Sequence, residues 1–189
     1  MNQKTAMKLF GLLGLLMLLS CGYADRHRNS SSCEQALVDS LEVRVQDSLF
    51  SNLPYSRSLL RNAMRQAQDS MSYYRLMGLY GKTFFISSDF DSILYYNRPV
   101  KEYDKRAAAC PRWNDVLSDV YNIEGNVWMQ LNQPDSAVAY YEKSYAYRLK
   151  GEKGHLLSDI CMNLADAHLH RGELAHTASY YRRALFICD

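Results

Sequence analysis

The stretch that decides the fold is residues 121–141, which read YNIEGNVWMQLNQPDSAVAYY. Apolar residues recur in it at helical spacing on both sides of the turn-forming segment Asn132-Gln133-Pro134. Proline suits the first turn of a helix because the N–H that it lacks has no helical partner there. The stretch therefore predicts two helices joined by a tight turn, that is, an antiparallel helical hairpin.

The same pattern occurs twice more, as MGLYGKTFFISSDFDSILYYN at residues 77–97 and as CMNLADAHLHRGELAHTASYY at residues 161–181. In each copy a small residue of the first helix precedes a residue of the second helix by 12 positions. These pairs are Gly81 and Ile93, Gly125 and Ala137, and Ala165 and Thr177. Such a constant spacing lets two antiparallel helices touch through small side chains, while large aromatic residues fill the space beside them.

Over residues 73–189 this pattern resembles the tetratricopeptide repeat family. The resemblance implies an all-α fold, an antiparallel helix-hairpin array of the α-solenoid type. Successive units lie 44 and 40 residues apart, counted between Gly81, Gly125 and Ala165, whereas the family usually repeats every ~34 residues. The helices or their connections must therefore be longer than usual. Glu124 also departs from the pattern, because it stands where leucine is common, and Asn97 stands where an aromatic residue is common.

A further hairpin is expected upstream, where apolar residues at helical spacing are interrupted near Asn52 and Pro54. Its degenerate sequence suits a hairpin that covers the end of a stack. We therefore predict about four hairpins. They are one at residues 34–70 and three repeats within residues 71–189, at approximately 74–107, 118–151 and 158–189. A non-repeating helical bundle is the alternative fold.

The amino terminus predicts export. Lys4 and Lys8 precede an apolar run over residues 9–19, which is too short for a membrane span and has the length of a signal-peptide core. The run ends in Ser20-Cys21, which resembles the lipobox of bacterial lipoproteins. The resemblance implies that residues 1–20 are removed and that Cys21 is the lipid attachment site.

Residues 21–33 are polar and serine-rich, which is typical of a tether. An ordinary cleaved signal, with Cys21 incidental, is the alternative to lipidation. With lipidation, the chain is expected to be a lipid-anchored bacterial membrane protein of the cell envelope that faces the periplasm by default.

Composition and motifs argue against several classes of function. Without residues 1–20 the chain has 20 basic and 20 acidic residues and no dense basic block, so we expect no nucleic-acid partner. It has no glycine-rich phosphate loop and no nucleophile elbow, and we expect neither an enzyme nor a cofactor. His168 and His170 lie two residues apart on a helix and point in opposite directions, so no metal site is predicted.

The resemblance also implies where a partner binds. In this family the first helices of the hairpins line a concave surface, and ligands usually lie there. The residues expected on that surface as peptide contacts are Arg75, Lys82, Phe85, Asn122, Asn126, Met129, Asp159, Met162 and Asp166. Asparagine side chains can pair with a peptide backbone, and methionine offers adaptable apolar contact. Lys82 and Asn126 only partly match the clamp with which some members bind a carboxylate, so that clamp is not assigned.

Two expectations concern the last hairpin. Cys161 begins its first helix and Cys188 ends its second, so the antiparallel arrangement allows either a disulfide or two buried thiols. The sequence also has no amphipathic helix after Cys188 to cover the apolar face that another repeat would bury. That face is expected to meet a partner, to self-associate, or to continue into a longer protein.

The leading hypothesis is therefore a membrane-anchored protein–protein interaction module that binds a polypeptide partner on its concave surface. The alternative is the amino-terminal sensory region of a membrane-bound signalling or transcriptional regulator, truncated after Asp189.

Overall fold

The computed structural model describes residues 34–107 and 110–188, and within them it is all-α, as predicted. The eight α-helices of this part are α1 (34–48), α2 (Leu53–Gln66), α3 (Ser70–Lys82), α4 (Phe90–Ala107), α5 (Pro111–Gln130), α6 (Pro134–Arg148), α7 (Leu157–His170) and α8 (Leu174–Cys188). Short 3-10 turns at Phe85–Ser87 and Gly154–Leu156 lie in the longer connections.

Local sequence explains where several helices begin and turn. The side chains of Asn52 and Asp69 accept hydrogen bonds from the backbone N–H groups of Tyr55 and Ser72, which caps α2 and α3. The tight turns after α5 and α7 need a left-handed backbone. Asn132 and Gly172 supply it, with φ angles of 55° and 75°, and these two residue types adopt that conformation most readily.

The helices pack as consecutive hairpins, α1–α2, α3–α4, α5–α6 and α7–α8, and the hairpins stack in chain order. Each junction brings a second helix against the next first helix, as α2 against α3, α4 against α5 and α6 against α7. The first helices α3, α5 and α7 also contact one another in sequence. They form a layer that we call the first-helix layer, in which α1 precedes α3.

The long repeat period has a local cause. α5 begins at Pro111, seven residues before the predicted boundary at 118, and it extends over 20 residues. The connection from α6 to α7 adds a 3-10 turn at Gly154–Leu156. Both features lengthen the unit relative to the ~34 residues of a tetratricopeptide repeat.

Small residues allow the two helices of a hairpin to pack closely. A Cβ atom placed on Gly125 would lie 2.4 Å from Cε1 of Tyr141 on α6, closer than any real contact. A Cβ atom on Gly81 would lie 3.0 Å from Oδ1 of Asn97 on α4. In both hairpins the small residue of the 12-residue pair therefore lies where the helices are closest.

The predicted signal peptide at 1–20, the lipid site Cys21 and the tether at 21–33 lie outside the described residues. Within the described helices, none combines the length and the apolar character that a membrane span requires.

Candidate binding surface

The first-helix layer contains a groove between α1, α3 and α5, which encloses a cavity of about 40 Å³, enough for a few water molecules. We call it the central groove. Its apolar side is formed by Gly78, Leu79, Val116, Val120 and Ile123. Its charged side is formed by Glu42, Arg75, Lys82, Arg112, Asp115, Asp119 and Lys153. The groove therefore combines an apolar side with a charged side.

Gly78 opens the groove. A Cβ atom there would make ordinary contacts, 3.5 Å from Cγ2 of Val120 and 4.0 Å from Cγ1 of Val116. No backbone strain therefore requires glycine at this position, and the missing side chain leaves space above the two valines. A glycine in a helix interior lowers helix stability by about 1 kcal/mol relative to alanine. The open space is therefore accompanied by a less stable helix.

Arg75 forms one wall of the groove, and only 5% of its side chain is exposed. Its Nη2 lies 2.6 Å from Oδ1 of Asp39 and 3.5 Å from Oε2 of Glu42, both on α1. Arg75 was predicted as a direct peptide contact. In the structure it joins α3 to α1, while its Nη1 has no hydrogen-bond partner among residues 34–107 and 110–188.

Asp115 organises the opposite wall from α5. Its buried carboxylate accepts hydrogen bonds from Arg148 Nη1 at 2.7 Å and from the backbone N–H groups of Glu152 and Lys153 at 2.8 and 3.2 Å. A Cβ atom on Gly151 would lie 2.1 Å from Oδ1 of Asp115, so this connection can pass the carboxylate only with glycine there. Asp115 thus fixes the loop between α6 and α7.

Two long-range ion pairs complete the charged side. Lys153 Nζ lies 2.8 Å from Oε1 of Glu42, which joins the α6–α7 connection to α1. Arg148, besides pairing with Asp115, donates a hydrogen bond to Asp119. The acidic side chains of the groove are therefore paired with cations. Lys82, in contrast, has no ion pair within the described residues.

Three of the predicted contact residues are held by neighbouring side chains. Asn163 Nδ2 donates to Oδ1 of Asn122 at 2.9 Å, which links α7 to α5. Tyr141 donates to Oδ1 of Asn126 at 2.7 Å. Asp166 accepts a hydrogen bond from Tyr181, and this bond raises the pKa of the tyrosine. These hydrogen bonds hold the three residues in place. They also occupy part of the hydrogen-bonding capacity of their amide or carboxylate groups.

Of the remaining predicted residues, two pack in the hydrophobic cores and two are exposed. Phe85 packs against the core of Ile93, Ile123 and Val127, and Met129 packs against the core between α6 and α7. Asp159 and Met162 are exposed on α7. Of the predicted set, the structure therefore brings only Arg75 and Lys82 together in the central groove.

Sequence reasoning missed four charged residues that line the groove. They are Glu42, Arg112, Asp115 and Lys153. Each lies on what looks like an ordinary solvated helix face or loop, and their partners are 33 to 111 residues away in sequence. No local spacing signals such pairs. Asp115 also lies before the predicted boundary of its repeat at 118, so the repeat pattern did not extend to it.

Cys161 is a free, fully buried thiol in the structure. Of the two alternatives for the last hairpin, a disulfide or two buried thiols, the structure has a free thiol at Cys161, while the side chain of Cys188 lies outside the described residues. Cys161 faces the interior of its hairpin, and this burial raises the pKa of the thiol. A raised pKa lowers the thiolate fraction and with it the reactivity towards disulfide formation.

A cluster that the sequence did not predict lies at the turn between α7 and α8. His168 Nδ1 lies 2.6 Å from Oε2 of Glu173, and His176 Nδ1 lies 3.8 Å from the same oxygen. The three side chains are close enough to share a metal ion. However, the two imidazole rings are stacked with only 18° between their planes, and Arg171 lies 2.9 Å from Oε1 of Glu173. The arrangement fits a hydrogen-bonded aromatic stack that ties α7 to α8.

No protein-family model matches the sequence, and no curated protein matches it either. Among solved structures, the chain is similar to the crystal structure of BtubC (BKLC) from P. vanneervenii, with a TM-score of 0.61 and 14% identity. The match covers 82% of this chain and 64% of that chain, so this chain spans less than two thirds of its structural neighbour. At this identity the likeness supports the all-α helical array alone.

Proposed function

We propose that the chain is a membrane-anchored interaction module, similar to tetratricopeptide repeat proteins, that binds a polypeptide partner in the central groove. The observation that carries the proposal is the open space above Val116 and Val120. It lies on the first-helix layer and exists because Gly78 has no side chain. An extended polypeptide matches such a surface because it can place an apolar side chain there while its polar backbone meets the charged wall.

The charged wall supports the same function. Arg75, Asp115 and Glu42 are held by ion pairs and backbone hydrogen bonds that join three hairpins. A surface that is ordered before its partner arrives loses less entropy on binding. These contacts therefore favour binding by ordering the wall of the groove in advance.

Membrane attachment rests on the sequence of residues 1–21 and belongs to the same proposal. Lipidation of Cys21 would hold the array at a membrane surface through the polar residues 22–33, and more than one acyl chain is needed for stable attachment. Mass spectrometry of the mature amino terminus tests this part. A free cysteine thiol at position 21 would contradict it without affecting the groove.

Site-specific photocrosslinking tests the binding surface. A photoreactive phenylalanine derivative at Val116 is placed in the groove, and the same derivative at Tyr95, an exposed residue of α4, is the matched control. We expect a discrete polypeptide adduct from position 116 in intact cells and none from position 95. The adduct should be lost when Gly78→Leu fills the groove. Identical adducts from both positions, or an adduct that survives Gly78→Leu, would overturn the proposal.

A further inference from the structure

A second and larger groove lies at the first junction of the array, where α1, α2 and α3 meet. Its volume is about 600 Å³, within the range of ~300–1,000 Å³ that is typical of small-molecule sites. We call it the α1–α2 groove. Its apolar lining comes mainly from Leu37, Val38 and Leu41 of α1 and from Leu59, Ala63 and Ala67 of α2.

The groove is open because small and aliphatic side chains meet at this junction. At the next junction the rings of Tyr103 on α4 and Trp113 on α5 are in contact, with centres 5.0 Å apart. Between α6 and α7 the space is filled by Tyr141 among others. At the first junction Ala63 and Ala67 face the groove, and no aromatic residue of the described part of the chain lines it. The lining is therefore aliphatic along its whole length.

The polar groups at the groove are neutral or already bound. The carboxylate of Glu34 accepts hydrogen bonds from the backbone N–H groups of Gln68 at 2.7 Å and Asp69 at 3.5 Å, which ties α1 to the α2–α3 connection. The other polar lining residues, Asn62, Gln66 and Gln68, carry uncharged amides. Such a site offers an ionic ligand no counterion. It suits a long aliphatic group, because burial of apolar surface needs no directional partner.

The groove leads from the interior to the surface at the point where the described chain begins. Val38, Leu41 and Leu76 are at most 5% exposed, whereas Leu37 is 54% exposed, so the apolar lining continues to an accessible rim. Glu34, the first residue of α1, itself lines the groove. The predicted tether 21–33 therefore joins the fold at this site.

The length of the tether allows a group on Cys21 to reach the groove. Cys21 precedes Glu34 by 13 residues. A segment of this length spans about 45 Å when fully extended and about 20 Å on average as a flexible coil. A group attached to Cys21 is thus held near the groove at a high effective concentration.

We propose that the α1–α2 groove binds one fatty acyl chain carried by Cys21 of the same chain. The inference rests on the lipidation of Cys21 in the proposed function and does not depend on the central groove. A bilayer offers the same acyl chain an apolar environment, so the groove and the membrane compete for it. Attachment weakens as fewer acyl chains remain in the bilayer. Occupancy of the groove would therefore favour release of the array from the membrane.

Photocrosslinking from the acyl chain tests the inference. Cells that express the full chain are grown with a fatty acid that carries a diazirine near its methyl end. The lipidated protein is purified in detergent, diluted below the critical micelle concentration and irradiated. Mass spectrometry of the digested protein should show an adduct that joins the Cys21 peptide to a peptide of α1 or α2. This adduct should come from protein that migrates as a monomer in a denaturing gel.

The unirradiated sample separates the two levels of the proposal. It shows directly whether Cys21 is acylated, which tests the proposed anchor. If Cys21 is acylated and irradiation gives no adduct in α1 or α2, the anchor stands and the inference about the groove is overturned. Without acylation, the anchor and the inference both fail, while the central groove is unaffected.

Three variants connect the adduct with the groove. Ala63→Phe fills the groove, and Leu37→Asp places a charge at its exposed rim, where folding should be retained. Ser58→Phe, at an exposed residue of α2 outside the lining, is the matched control. We expect both groove variants to lose the adduct and the control to keep it, with equal helical content by circular dichroism.

Three results would count against the groove or against its occupant. An adduct that survives both Ala63→Phe and Leu37→Asp would show that the acyl chain lies elsewhere. An adduct found only in crosslinked dimers would mean that the acyl chain comes from another copy. A groove adduct with the mass of a phospholipid, and none with the Cys21 peptide, would mean that the groove binds a membrane lipid. Each of them would overturn the inference.

Discussion

Lys101 Nζ lies 2.7 Å from both carboxylate oxygens of Glu124, and no part of the Glu124 side chain is exposed. The pair joins α4 to α5 at the position where the repeat pattern favours leucine. The ammonium group also lies 5.7 Å and 5.9 Å from the ring centres of Tyr121 and Tyr140. A polar substitution in the core is thus matched by a cation from the neighbouring hairpin.

Lys101→Met should destabilise the protein by about 3 kcal/mol, because it leaves a buried carboxylate without a counterion. Urea unfolding followed by circular dichroism measures the change. The double variant Lys101→Met with Glu124→Leu is the control, since replacing a buried pair by apolar residues is often neutral or stabilising. A double variant as unstable as the single one would show that packing, and not the unpaired charge, causes the loss.

Gly125→Ala should lower the free energy of unfolding by about 2 kcal/mol, despite the better helix propensity of alanine, because the new methyl group overlaps the ring of Tyr141. Gly154→Ala is the matched control, since a Cβ atom there meets nothing within 4 Å. Thermal unfolding of both variants makes the comparison. Equal melting temperatures would refute the idea that α5 and α6 touch through this glycine.

Asn97→Leu should stabilise the protein by about 1 kcal/mol. The Asn97 side chain is fully buried, and neither its Oδ1 nor its Nδ2 has a hydrogen-bond partner within the described residues. An unpaired buried amide costs about 1–3 kcal/mol, which an apolar side chain of similar shape avoids. Urea unfolding tests this, and a less stable variant would indicate that the amide has a partner after all, such as a buried water molecule.

The sequence predicts the hairpins because their determinants are local. Gly125 and Ala137 lie 12 residues apart, and the turn that contains Asn132 lies between them, so periodicity and turn chemistry act within one short segment. The resulting contact between Gly125 and Tyr141 spans only 16 residues. Such information is available without knowledge of the stack.

The groove could not be predicted in the same way because its determinants join different hairpins. Arg75 pairs with Asp39 on α1, which is 36 residues away in sequence. Glu42 pairs with Lys153, at a separation of 111 residues. From the sequence alone, a charged residue on a helix face is expected to be exposed to solvent, because the position of the neighbouring hairpin is not known. The sequence therefore assigned Arg75 a ligand contact, whereas in the structure its side chain forms an ion pair with Asp39 and lines the central groove.

Glu173→Gln should change how stability depends on pH. The hydrogen bond with His168, and then the charge of Arg171, lower the pKa of Glu173 below its ordinary value of 4.5. A carboxyl group with a lowered pKa in the folded state stabilises the protein above that ordinary value, and this contribution is lost as the pH falls through the folded-state pKa. The parent chain should therefore be more stable than the variant near neutral pH, and this difference in stability should disappear in acid.

Melting temperatures of both proteins at about pH 6 and about pH 3 measure this difference. Glu142→Gln, which alters an exposed carboxylate of α6 outside the ion pairs of the described residues, is the control and should leave the pH profile unchanged. A gap between the parent chain and Glu173→Gln that stays constant with pH would contradict the assigned role of the His168 contact.

Gly78→Ala should raise the stability of the protein and weaken binding of the partner. Alanine makes ordinary contacts with Val116 and Val120, so the variant should gain about 1 kcal/mol in unfolding free energy from its helix propensity. The same methyl group narrows the central groove and should weaken the photocrosslink from position 116. A variant that is more stable and crosslinks as well as the parent would show that the partner does not use this space.

Asp115→Ala should release the connection between α6 and α7. The substitution removes the acceptor of the Glu152 and Lys153 backbone N–H groups and one partner of Arg148, and such a loss costs about 3 kcal/mol. Hydrogen exchange should also accelerate at residues 152 and 153. Asp119→Ala is the matched control, because Asp119 pairs with the same arginine and accepts no backbone hydrogen bond from this loop. Equal exchange in the two variants would mean that Arg148, and not Asp115, holds the loop against the groove.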